Sequence, residues 1–546
     1  MKQGTATGIL DLFRATPMIS AGLVAILALT FYLRLLYFGQ IIDVDVGNLG
    51  YMAWRMAEGE VLIDLEGPGK PPLYFMLYSL FIRLFGPSVI GLKMFGAIFV
   101  LMAVLAVYWV ASRTYGKQVG LLSALLFGIF SSGPMVEGGT VNMETVLHLP
   151  YILAIGLFIK ASMSGQLRWY FLTGLCAALA TLVKQVGGVL FFIFLCYGIH
   201  EWWGKPPSLS NKQLLCRYVL LGVGALLPVL GVITFYHFHG YTLNQLYESM
   251  LGSNLRYIRR GHEYTNFLKY FSTSLKFILP ENGLLWLGTI FTSAYLGWRI
   301  WRNKGQLGDR IFLWWVFWSF AVLSISGTFY AHYFLQIIAP FSVLTAYGVV
   351  TTWKWAKSLS PLFKFVARGV WTIILVIILI IFVRNDYQYF FSYTPEEQTV
   401  SQYKSLGDLI DLYGLNLIYQ REIAFYIREH TDPKETIYVW GMAPQIYFLA
   451  QRKAATRYRN NFNMAQLVTD NSLKALQVYA PMVIEDIKKS SPSYIVQIFL
   501  LEHFPDLQKF VRDHYMLDKV IEMSVPPYEF RLYRRCVDRE VIPNPK

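Results

Sequence analysis

Two aspartates, Asp43 and Asp45, stand in the stretch IIDVDVGNLGYMAWRMAEG (41–59), directly after a long apolar run. Two glutamates, Glu137 and Glu144, flank GGTVNM, and Lys70 precedes two prolines in GPGKPPLYF (67–75). Lys184 lies in LVKQVG (182–187), and His332 and Tyr333 lie in GTFYAHYFLQIIAP (327–340). Carboxylates beside basic groups suit a general base next to a clamp for a phosphate. A lysine just ahead of a proline-opened helix adds its charge to exposed backbone N–H groups, which makes an anion site. A histidine at the same level binds an anion or donates a proton. Each residue also has a purely structural reading. Asp43 could cap a short helix beginning near Gly47, and Asp45 could do so less readily. Glu137 could be a solvated turn residue, Lys70 a snorkelling lysine in a proline-rich turn, and His332 a satisfied histidine at a helix start.

The elements that position these residues are membrane helices. The chain of 546 residues is 55% hydrophobic and only 15% charged, with 16% aromatics. An ordinary soluble protein has more charge, and abundant aromatics suit a membrane interface. About 20 apolar residues are needed to cross a bilayer. Eleven candidate spans follow: 18–38, 88–112, 118–134, 142–163, 169–185, 186–203, 215–237, 280–300, 311–327, 331–352 and 366–384. The first is too long for a signal-peptide core and reads as a retained signal anchor. Leu73–Phe85 is apolar but short, which suits a helix lying in the interface within a first outer loop, 39–88.

With the N-terminus in the cytoplasm, the inner loops carry Arg113 and Lys117, Lys160 and Arg168, Lys205, Lys212 and Arg217, the group from Arg299 to Arg310, and the group from Lys354 to Arg368. That is the distribution the positive-inside rule requires. It assigns the net charge of +14 to topology rather than to nucleic acid. The acidic candidates then fall on the outer side, where a carboxylate near lipid is costly unless it is paired or lines a wet cavity. The outer region 238–279 is basic, with Arg256, Arg259 and Arg260.

Two domains are expected: a transmembrane catalytic domain, 1–384, and an extracytoplasmic tail, 385–546. In the tail, TIYVW (436–440) and SYIVQIFL (493–500) alternate with helical patterns, as in a small α/β domain. No glycine-rich phosphate loop follows these strands. The four cysteines make no CxxC pair, and neither a disulfide framework nor a zinc site is indicated.

Asp45 with Tyr51, Ala53 and Gly59, followed by KPPL and FG, resembles the opening of bacterial glycosyltransferase family 39 and its relatives, which include protein O-mannosyltransferases, the lipid A aminoarabinose transferase and core galacturonosyltransferase-like proteins. NMETVL (142–147), LVKQVG, HYFLQIIAP (332–340) and the tail segment 426–458 are similar to later landmarks of that group. The resemblance implies a GT-C fold, a multi-span helical bundle with an extracytoplasmic α/β domain. It implies an inverting enzyme in the bacterial cytoplasmic membrane that moves a sugar from a polyprenyl-phosphate donor to a lipid, glycan or protein hydroxyl. Asp45 would be the general base and Glu144 would assist it. Lys70, Lys184 and His332 would hold the donor phosphate, with Tyr333 beside them and Arg256 joining from the basic segment. The sequence departs from many relatives in having Val46 after Asp45, so Asp43 is the candidate for a second carboxylate. It also has Gly69 where aminoarabinose transferases carry Glu before KPP. Relatives differ over metals. No ligand cluster with metal spacing is present, so no cofactor is expected, a divalent metal being the alternative. The competing reading is a flippase or transporter of a lipid-linked saccharide.

Overall fold

A computed structural model describes residues 17–65, 70–204, 209–264, 266–356, 388–404, 408–457, 472–498, 505–523 and 529–536, with Gly369 and Ile380. The helices are α1 (Pro17–Leu35), α2 (Val44–Ala57), α3 (Leu62–Leu65), α4 (Leu73–Phe85), α5 (Val89–Tyr115), α6 (Lys117–Phe130), α7 (Met143–Ser164), α8 (Leu167–Val183), α9 (Val189–Trp203) and α10 (Asn211–Phe238). They continue with α11 (Leu243–Tyr247), α12 (Ser253–Tyr264), α13 (Phe267–Trp301), α14 (Leu307–Ser324) and α15 (Leu335–Ala356). The C-terminal part holds α16 (Pro395–Lys404), α17 (Asp408–Glu429), β1 (Thr436–Trp440), α18 (Gln445–Ala450), β2 (Lys453–Ala454), α19 (Ser472–Ser490), β3 (Tyr494–Gln497), α20 (Pro505–His514), β4 (Tyr515–Glu522) and β5 (Glu529–Arg535).

Among the described residues, seven helical segments are long and apolar enough to cross a membrane: α1, α5, α7, α9 with the turn before it, α10, α14, and α15 with the turn before it. These are seven of the eleven expected spans. Two others, α6 and α8, are apolar helices of 14 and 17 residues. The 280–300 span is the second half of the 35-residue α13, which contains Pro280. The last expected span, 366–384, lies outside the described residues apart from Gly369 and Ile380.

The chain forms two compact units. The first contains residues 1–38, 68–74 and 93–393 and is the helical bundle. Its helices approach closely where glycine permits. A Cβ on Gly174 would lie 1.9 Å from the Leu221 carbonyl oxygen, and one on Gly224 would lie 2.0 Å from that of Phe171, so α8 and α10 pack backbone to backbone. At the end with the basic loops, Asp309 is fully buried, 3.4 Å from Arg299 and within 3.2 Å of the Tyr115 hydroxyl.

The second unit contains residues 39–67, 75–92 and 394–546. Most of the segment expected as the first outer loop, apart from 68–74, therefore clusters with the tail. The tail contains a five-stranded sheet in the order β2-β1-β3-β5-β4. β1 pairs in parallel with β2 and β3, while β5 runs antiparallel to β3 and β4. One face packs Tyr438, Trp440 and Ile495 against Val483 and Ile487 of α19 and Leu507, Phe510 and Val511 of α20. On α4, Tyr74, Phe75, Tyr78 and Ile82 are buried, whereas Leu80, Leu84 and Phe85 are exposed.

Helix α2 is built into this unit. A Cβ on Gly47 would come within 2.5 Å of the Gln445 Cα, so only glycine allows α2 to pass α18 at that distance. Tyr51 lies against Tyr447, with ring centres 5.3 Å apart. Ile41 and Val44 form a small buried cluster with Leu417 of α17.

Candidate active site

In the helical bundle, six helix ends bring polar residues together: the C-terminal ends of α6, α8 and α14, and the N-terminal ends of α7, α9 and α15. Glu144 stands in the first turn of α7, where the helix dipole favours a carboxylate. It is 1% exposed and is paired with the ammonium of Lys184. Lys184 is the extended residue between α8 and the 3-10 turn Gln185–Gly188. Its ammonium also lies over the Tyr333 ring, 4.6 Å from the centroid, a geometry that stabilises a cation.

The second pair is Glu137 and His332, with Oε2 and Nδ1 2.9 Å apart. Glu137 adopts a left-handed backbone, φ 53°, at the end of the 3-10 turn Pro134–Val136. That conformation is uncommon outside glycine. It is held by a tight loop in which Gly138 N–H donates to Gly133 O and Thr140 N–H to Glu137 O. The Tyr330 ring lies parallel to the His332 ring, 2° between their planes. Glu281 of α13 buttresses the loop, accepting from Met135 N–H at 2.8 Å.

His148 is a further member of the site, and its role does not follow from the motifs around it. It lies four residues after Glu144 on the same face of α7, buried at 4% exposure. Its Nε2 lies 2.8 Å from the Leu335 carbonyl oxygen. The carbonyl can only accept, so Nε2 carries the proton and Nδ1 keeps a lone pair. Nδ1 has no partner among the described residues. The sequence signal for it is the four-residue spacing from Glu144.

Lys70 is half-buried ahead of α4. Tyr74, on the same short segment, donates a 2.7 Å hydrogen bond to the Val141 carbonyl, which docks that segment on the loop between Glu137 and Glu144. Lys93 holds the same loop through the Gly139 carbonyl at 3.0 Å. Arg256 lies elsewhere, half-exposed on α12 and paired with Glu248 at 2.8 Å. Among the described residues, no group of three or more His, Cys, Asp or Glu side chains is placed to hold a metal ion.

In the second unit, the two aspartates have different environments. Asp43 is the N-cap of α2, its Oδ1 accepting from Val46 N–H at 2.6 Å. This is the capping reading of Asp43, with the helix starting at Val44 rather than near Gly47. Asp45 is exposed in the first helical turn, where backbone N–H groups and the dipole favour its ionised form. It has no hydrogen bond or ion pair among the described residues. The end of α2 is fastened by Arg55, which reaches Glu58 and Glu60 at 2.5 Å each, and Glu60 also binds Lys453 at 2.7 Å.

Residues 69–232 match the family described as dolichyl-phosphate-mannose-protein mannosyltransferase. No curated protein matches the sequence. Among solved structures, ArnT from Cupriavidus metallidurans bound to undecaprenyl phosphate is similar, with a TM-score of 0.56 at 14% identity over 95% of this chain and 98% of that one. The archaeal oligosaccharyltransferase AglB from Archaeoglobus fulgidus, in complex with an inhibitory peptide and a dolichol-phosphate, is also similar, with a TM-score of 0.52 at 13% identity over 95% of this chain and 75% of that one. At such identities the likeness is one of fold, the GT-C fold. Residues 69–232 thus resemble one glycosyltransferase family, and the chain as a whole has the GT-C fold of membrane glycosyltransferases.

Proposed function

We propose that the enzyme transfers a sugar from a polyprenyl-phosphate donor to an acceptor hydroxyl at the outer face of the bacterial cytoplasmic membrane, with inversion at the sugar carbon. The observation that carries this reading is the exposed Asp45 carboxylate in the first turn of α2. A base at that position takes the proton from the acceptor hydroxyl as its oxygen attacks the anomeric carbon. The bond from that carbon to the phosphate oxygen breaks, and polyprenyl phosphate leaves with the electron pair. A single displacement of this kind inverts the centre. Negative charge grows on the leaving phosphate, so preorganised cations lower the barrier. Lys184 and His332 are the cations assigned to that task, with Lys70 and with Tyr333 supporting Lys184. Glu144 orients Lys184 through their ion pair. Asp43 acts through the backbone, as the cap that fixes the helix bearing Asp45. Arg256, half-exposed on α12, attracts the anionic lipid from outside the site.

The test is release of polyprenyl phosphate by purified wild type and Asp45→Asn in nanodiscs, against a panel of polyprenyl-phosphate sugars. Release by wild type and none by the folded variant is expected. Turnover that survives in Asp45→Asn assigns the base to another carboxylate. Translocation of an intact lipid-linked saccharide without release supports a flippase instead.

A further inference from the structure

The second unit contains an open cleft of about 640 Å³, lined by Tyr51, Glu60, Lys453, Thr456, Asp486 and Lys489. That volume is within the range of sites for small organic ligands. We propose that this cleft is a saccharide subsite, which takes the glycan portion of the acceptor.

Three cations, Lys453, Lys489 and Arg457, and two carboxylates, Glu60 and Asp486, line the cleft, with Lys453 paired to Glu60 and Lys489 to Glu485 beside it. A free phosphate or polyanion would meet both carboxylates, and a polycation would meet three like charges. A sugar hydroxyl both donates and accepts. It suits a wall that alternates carboxylate acceptors with ammonium and guanidinium donors. The wall is also ordered. Asp486 accepts from the Thr456 hydroxyl at 2.8 Å, and Glu60 is held between Arg55 and Lys453. An extended peptide is less suited, because the strand at the rim, β2, is two residues long and cannot template a further strand.

Tyr51 lies in α2 and Glu60 follows it, so two residues of the segment that presents Asp45 border the cleft. A glycan bound there touches the same short segment as the proposed base. The inference therefore rests on the reading of the chain as a transferase, and it adds that the acceptor carries a saccharide.

The experiment places fluorescently labelled full-length protein, in nanodiscs, on a printed array of bacterial surface glycans. A Ser/Thr-rich peptide and inorganic phosphate serve as soluble competitors. Wild type is expected to bind a subset of the glycans. Asp486→Asn and Lys489→Ala are expected to weaken that binding about tenfold or more, as befits loss of a hydrogen bond to a charged group, with unchanged thermal unfolding. Asp486→Asn is isosteric and still accepts from Thr456, and Lys489 is 71% exposed, so neither variant should disturb folding. Binding that neither variant changes, binding displaced by the peptide or by phosphate, or no glycan bound at all would each overturn the proposal. Glycan binding lost in both variants, together with no polyprenyl-phosphate release from any donor, would overturn the transferase reading and leave the saccharide site standing.

Discussion

The backbone N–H of Ala454 donates a 2.8 Å hydrogen bond to the phenolic oxygen of Tyr51, a residue 403 positions earlier in the chain. This bond joins the edge strand of the tail sheet to the helix that presents Asp45. Gly47 against Gln445, the Tyr51 and Tyr447 rings, and the Arg55–Glu60–Lys453 chain of ion pairs reinforce it. The tail is thus a scaffold for α2 as well as a small α/β domain in its own right.

Replacing Tyr51 with Phe keeps the ring contact and removes the acceptor for Ala454 N–H. Ala454 is half-buried, so water only partly replaces the lost bond, and a loss of about 1 kcal/mol is expected. Thermal unfolding in nanodiscs measures it. An unchanged midpoint would show that the phenol contributes no net stability at this position.

Gly47→Ala tests the close approach of α2 to α18. The new methyl would lie 2.1 Å from the Gln445 Cβ and 2.5 Å from its Cα, so backbone must move. Overpacking of this kind costs about 1–3 kcal/mol, and because α2 bears Asp45, sugar transfer should fall as well. Gly231→Ala in α10 is the matched control, since nothing lies within 4 Å of its Cβ. It should be neutral or gain about 0.5–1 kcal/mol in helix stability. Equal unfolding midpoints for the two variants would contradict the tight packing at Gly47.

The long apolar helices are legible in the sequence because apolar length acts locally. The apolar runs that became α1, α5, α7, α10 and α15 each report on their own surroundings. The strand at TIYVW is legible for the same reason. β4 is not, because its burial alternates irregularly, with Met516, Leu517 and Val520 exposed. Pairings over long separations leave no local trace. Glu137 meets His332 across 195 residues and Lys184 meets Glu144 across 40. Composition places these groups at one level of the bundle but cannot match carboxylate to cation. The union of the first outer loop with the tail is of the same kind, since Tyr51 carries no mark of Ala454.

The Glu144–Lys184 pair separates stability from function. Glu144→Gln alone strands a largely buried ammonium, and Lys184→Met alone strands a carboxylate that is 1% exposed. Removing one partner of a buried pair costs about 3–5 kcal/mol, whereas removing both can be nearly neutral. The double variant Glu144→Gln/Lys184→Met is therefore expected to unfold closer to wild type than either single variant. It should remain inactive, because the cation assigned to the leaving phosphate is gone. A double variant that regains transfer would remove Lys184 from the chemistry.

The Glu60 carboxylate gives the tail scaffold a pH dependence with a definite sign. Burial alone would raise its pKa, but hydrogen bonds from Arg55 and Lys453 outweigh burial and hold the carboxyl below its usual 4.5. A group held lower in the folded state than in the unfolded one stabilises the fold fully above the unfolded value, and that stabilisation is lost as pH falls through the folded value. The unfolding midpoint of wild type should therefore exceed that of Glu60→Gln by a constant margin at neutral pH. The margin should begin to close below about pH 4.5 and vanish at lower pH, once Glu60 is protonated in both states. A margin that widened on acidification would require a carboxyl that is neutral when folded, and the ion pairs with Arg55 and Lys453 would then have no energetic role in fastening α2.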